Sequence, residues 1–123
     1  MCQDRQTRIF SYFDGEMEGL RSREQALAAD ERRDEAVFVR VRFNIFEAFH
    51  AVFSAGIKIC RGDEEQLRQF FLTRTEQIAQ SWLASRQKAM AHDDTYKLYL
   101  EDIKLEACAD IRSAFMRIWE GSL

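Results

Sequence analysis

Proline is missing from all 123 residues, where average usage would place about six. Nothing in the chain therefore forces a helix to stop, and long helices are the natural consequence. Cysteine is scarce and odd in number: Cys2, Cys60 and Cys108 show no paired spacing. Neither a disulfide framework nor a zinc ligand set is indicated, and reduced thiols in a reducing compartment are expected. A surplus of one charge is also lacking. The 18 basic and 21 acidic residues are interspersed and leave a net charge of −3, so no field that would capture a polyanion arises and nucleic acid is not an expected partner. No stretch approaches about 18 uninterrupted apolar residues, and MCQDRQTRIFSYFDGEMEGL, the first twenty, is charged throughout without the apolar segment of a secretory signal. The expectation is a cytoplasmic protein with no membrane partner.

What is present is a core. The chain is 46% hydrophobic and 32% charged with ten phenylalanines, a composition that excludes wholesale disorder. At this length about two thirds of the unfolded surface can be buried. No repeat, low-complexity tract or Ser/Gly-rich linker divides it, so residues 1–123 are read as a single domain.

The punctuation is sparse. In CRGDEEQL, Gly62 can close one helix in a left-handed conformation, Asp63 can cap the next, and Gln66 completes a capping-box pattern. In AHDDTYKL, Asp93 or Asp94 offers the same N-cap chemistry after a helix ending near His92. Gly121 supplies a terminal stop. Between these marks Leu67, Phe71, Thr75, Ile78, Trp82 and Ala89 keep helical time, and so do Tyr96, Leu100, Ile103, Ala107, Ile111, Ala114 and Ile118. Upstream, Ser22 with Gln25 makes another capping-box pattern. It predicts a helix from about 22 to 60, roughly 55 Å long at 1.5 Å per residue, unless it breaks near Ala29. Before it, Ile9, Phe10 and Phe13 suit a short amphipathic helix over about 3–14, with Gly15 as its stop.

VFVRVRFNIFEAFHAVF, Val37 to Phe53, raises a conflict. Its first half alternates like a strand and is rich in β-branched residues. A strand needs partners, however, and no other part of the chain offers a second alternating run. At about 100° per residue, Arg40, Asn44, Glu47, Ala51 and Ser54 fall within about 80° of one another, a narrow wet stripe on an otherwise apolar helix. The fold expected is all-α: an up-down-up bundle of three long helices, 22–60, 63–91 and 94–120, with a short N-terminal helix.

No constellation in the sequence establishes an activity. Glu47 and His50 form Glu-x-x-His, the pairing with which di-iron bundles aim two ligands inward, but a di-iron site needs a second such motif and none occurs. Height-matching across short turns separates His50 from His92. A Cys108 and His50 pair would be the one combination for thiol chemistry. No phosphate cradle, nucleophile elbow or HExxH pattern is present, so no catalytic residue, metal ligand or cofactor is expected. Two uses remain for the aromatic surplus of Phe38, Phe46, Phe49, Phe53, Phe71 and Trp82. One is helix–helix assembly, giving a non-enzymatic interaction module that forms a homo-oligomer through the long first helix or takes a helical protein partner. The other is an aromatic-lined cavity between helices that holds an apolar ligand, as in a small-molecule sensor. Arg42 sits among Phe38, Phe46, Phe49 and Phe53. Because an unpaired buried guanidinium is costly, it is expected to pair with Asp102, with Glu106 or with Glu35, or else to pack its stem and keep its head in water.

Overall fold

The computed structural model describes residues 2–121, with side chains from Asp4 onward; the thiol of Cys2 lies outside the described residues. Four helices of nearly equal length follow one another: α1 (Cys2–Ala29), α2 (Arg33–Cys60), α3 (Glu64–Ala91) and α4 (Thr95–Gly121). Each is about 42 Å long at 1.5 Å per residue. They run up, down, up and down. No strand occurs among the described residues, and no helix of these residues is long and apolar enough to cross a membrane. The alternating stretch is helical, and its expected wet stripe is seen: Arg40, Asn44, Glu47 and Ala51 are exposed, with Ser54 half-buried.

Two boundaries agree with the punctuation. Asp63 caps α3, its carboxylate accepting from the Gln66 backbone N–H at 3.0 Å. Asp94 caps α4, accepting from Lys97 N–H at 3.0 Å. In the N-terminal half the helix read as 22–60 is interrupted after Ala29, the break that was the alternative there, and the helix read as 3–14 departs from expectation by running on through Gly15 and the Ser22–Gln25 pattern to meet it. The break has no glycine to announce it. Glu31 takes the left-handed conformation, φ 60°, while Arg32 N–H donates to Leu27 carbonyl at 2.9 Å and Glu31 N–H to Ala28 carbonyl at 3.1 Å. These two bonds satisfy the last carbonyls of α1, as a left-handed C-terminal motif does. Asp93 repeats the device at the end of α3, with φ 53° and Asp94 N–H on Ala89 carbonyl at 2.9 Å.

The extra helix changes how the core is covered. α2 packs against all three other helices, and α1 and α3 flank the parallel pair α2 and α4. α1 lays Ile9 and Phe13, each 1% exposed, on the apolar side of α2. The surplus that suggested a partner chain for this helix is thus buried within the chain. Rings then fill the centre. Phe53 meets Phe71 at 5.8 Å and Phe115 at 6.1 Å, Phe71 stacks on Phe115 at 4.4 Å, and Phe49 stacks on Trp82 at 6.0 Å. Such pairs add about 0.5–1.5 kcal/mol each beyond the area they bury.

Candidate interaction groove

At one end of the bundle, the side chain of Arg5 ties three helices together. Its Nη1 donates to Glu64 Oε2 at 2.6 Å, its Nε donates to the Trp119 carbonyl at 3.0 Å, and its guanidinium lies 5.2 Å from the Trp119 ring centre. α1, α3 and α4 are held there. At the other end, where the 30–32 and 92–94 turns lie, the gap between α1 and α4 is an open groove of about 510 Å³ floored by α2. Leu20 and Leu27 come from α1, Phe38 and Val39 from α2, and Tyr99 and Ile103 from α4. Phe38 stands edge-on to Tyr99 at 4.6 Å and lies 6.1 Å from Tyr96. Beside this floor, Tyr96 and Tyr99 are 56% and 51% exposed.

Charged residues edge the groove: Arg23, Glu35, Arg42, Asp102 and Glu106. Arg42 does not pair with Asp102, Glu106 or Glu35 as expected. Its Nη2 donates to Asp110 Oδ2 at 2.9 Å, and Asp102 accepts from Arg86 Nε at 2.6 Å. The reason lies in the direction the side chain takes. The guanidinium lies over the Phe46 ring at 5.1 Å, one turn further along α2, and since α4 runs parallel this brings it level with Asp110. Asp102 meanwhile meets α3. Arg42 keeps a quarter of its side chain exposed, so its stem packs while its head remains partly wet. Past Arg42 the α1–α4 seam continues to Tyr12, Glu16 and Arg117. Burial, with a smaller push from the Glu16 carboxylate, raises the Tyr12 phenol to about 12.

Of the six aromatic residues singled out in the sequence, only Phe38 lines this groove. Phe46, Phe49, Phe53 and Phe71 are fully buried, and Trp82 is half-buried beside Phe49, with Lys104 Nζ 5.9 Å from its ring centre. Glu47 and His50 part company. Glu47 lines a polar recess between α1 and α2, whereas His50 packs against Phe10 at 5.2 Å and Phe13 at 5.7 Å. Cys108 is buried on the α3 side, its Sγ 3.9 Å from the Thr75 carbonyl, and burial pushes its thiol pKa up. Cys60 and Cys108 are both free thiols. Among the described residues, no three His, Cys, Asp or Glu side chains are grouped to hold a metal ion. The groove residues Leu20, Leu27 and Arg23 escaped sequence reasoning because the groove is assembled from separate helices, and Glu106 was named only as a partner for Arg42. The one signal was Tyr99, an aromatic set off the buried stripe of α4.

Fold and groove together define an all-α helical-bundle protein with an open groove of mixed apolar and charged lining toward one end. Among known proteins, no family model, no curated protein and no solved structure matches the chain.

Proposed function

We propose that this chain is a non-enzymatic helical interaction module that docks an α-helical protein surface in the groove between α1, α2 and α4. The observation that carries the reading is a groove that offers Leu20, Leu27, Phe38 and Ile103 between charged edges, with Tyr96 and Tyr99 more than half exposed beside it, since aromatic side chains bordered by polar groups are what protein interfaces favour. Its lining includes the last turns of α1 as a wall and the first turns of α2 as the floor, part of the stretch from which assembly was expected. Placement supports the non-enzymatic part. His50 faces α1, Cys108 faces α3 and His92 closes the end of α3, so the groups best suited to move a proton or attack a substrate lie on separate faces.

The test is photo-crosslinking from a benzoylphenylalanine placed at position 99, in the groove, and at position 83, where Leu83 is exposed on α3 outside it. Adducts joining position 99 to one protein surface, mapped by peptide mass spectrometry and lost in Phe38→Ser, are the expected outcome. Equal, unspecific labelling from both positions would overturn the reading. A second reading has a specific observation behind it: the groove volume falls in the range of about 300–1,000 Å³ that small-molecule sites occupy. In that case the apolar ligand of a sensor domain sits in this surface groove and not among the stacked rings inside. Native mass spectrometry of the purified protein would then show a small-molecule adduct that Phe38→Ser removes.

A further inference from the structure

We infer that the occupant of the groove is a second copy of this chain, docked about a two-fold axis so that Arg23 of each copy pairs with Glu106 of the other; the inference rests on the interaction-module reading. It starts from the charges that edge the groove. Three of the five are already satisfied within the chain: Arg42 by Asp110, Asp102 by Arg86 and Glu35 by Arg32. Arg23 and Glu106 make no ion pair or side-chain hydrogen bond among the described residues, and both are exposed. They stand on opposite walls, Arg23 on α1 and Glu106 on α4. One unpaired positive charge and one unpaired negative charge thus face solvent across a shared apolar floor.

That arrangement selects among partners. A strongly acidic partner would meet Glu106 and a strongly basic one would meet Arg23, and like-charge contact at an interface suppresses association. A two-fold interface demands a self-complementary patch, in which residue i meets residue j and residue j meets residue i. Turning one copy over the other sets the α1 wall against the opposing α4 wall, and the same two residues meet twice. The apolar parts are complementary in the same sense. Each copy offers both an open floor and the half-exposed rings of Tyr96 and Tyr99, and ordering such rings against a facing copy costs little because only two side-chain torsions are fixed.

The experiment uses sedimentation velocity on the full chain at micromolar concentration, with circular dichroism to verify that each variant is helical. Wild type is expected as a dimer. Arg23→Glu and Glu106→Arg each create two like-charge contacts in a symmetric dimer and are expected to weaken association on the order of tenfold or more. An equimolar mixture of the two variants is expected to recover it. In the mixed dimer Glu at 23 faces Arg at 106, while the native Glu106 faces the native Arg23. A wild-type dimer that neither variant weakens, or a mixture that stays monomeric beside a dimeric wild type, overturns the reciprocal pair. Crosslinks from position 99 would still uphold the module in those cases. A monomeric wild type whose position 99 labels a different protein overturns the second copy as occupant and leaves the module standing. Absence of specific crosslinks from that position removes both.

Discussion

Tyr12 shows how a single residue can report on the seam between α1 and α4. Its phenol is raised to about 12 from an ordinary 10.0, first by burial and then by Glu16, with Arg42 and Arg117 pulling the other way. The folded chain therefore holds this proton more tightly than the unfolded chain does. Its contribution to stability is complete below the unfolded value and is lost as pH rises through the folded one. Between pH 10 and pH 12 the wild-type melting temperature should fall more steeply than that of Tyr12→Phe, which has no phenol to ionise. Parallel curves for the two proteins, measured by circular dichroism melts across that window, would show that the ring is not buried in the seam. Arg42, on the same seam, was legible in part. Periodicity alone placed it among aromatics and foresaw a packed stem, but its partner depended on which way four side-chain torsions turn.

For the helices, the residues that end them separate what could be read from what could not. The starts at Asp63 and at the Asp93–Asp94 pair were legible because an aspartate can accept from the backbone N–H three positions on, the chemistry of an N-cap. At the α1–α2 turn the left-handed position is held by Glu31, and a glutamate is a good helix former, so the run ADERRDE carries no signal that decides between a continuous helix and a break near Ala29. Opposite signs test the turn. At a left-handed position Glu31→Gly relieves the strain of a side chain there and should stabilise the protein by about 1 kcal/mol. In a continuous helix the same substitution would destabilise it by about as much. Gly15, expected to be a stop, lies in the middle of α1 with nothing within 4 Å of where a Cβ would be. Gly15→Ala should therefore raise stability by about 0.5–1 kcal/mol, where a left-handed stop would have lost it. Urea titrations of both variants check the pair, and either sign reversed would restore the long-first-helix architecture.

Across the whole molecule, the α1–α4 seam is tied at one end by Arg5 and opens toward the other into the groove. Arg5 supplies that clamp through an ion pair, a backbone hydrogen bond and a ring contact from a side chain 14% exposed. Hydrogen bonds to charged groups contribute about 1.5–3 kcal/mol each, so Arg5→Ala should lower unfolding free energy by about 2 kcal/mol. Arg5→Lys should restore only part of this. A lysine keeps the charge opposite Glu64 but lacks the planar fork that also serves the Trp119 carbonyl and ring. Full recovery with lysine in a denaturant titration would reduce the clamp to a simple ion pair.

The sequence by itself determined that this chain is helical, where α3 and α4 begin, and that α2 carries its wet stripe on Arg40, Asn44, Glu47 and Ala51. Those properties arise within a few residues of each position, from hydrophobic period and cap chemistry, and are complete before any helix meets another. Only the tertiary structure decided that α1 folds back at Glu31 to cover α2, that Arg42 reaches Asp110, and that Arg23 and Glu106 face each other across an open groove. These depend on the stagger between helices and on the reach of long side chains. Both are settled by how the rings of Phe13, Phe46, Phe53 and Phe115 pack, at sequence separations where no local pattern carries information.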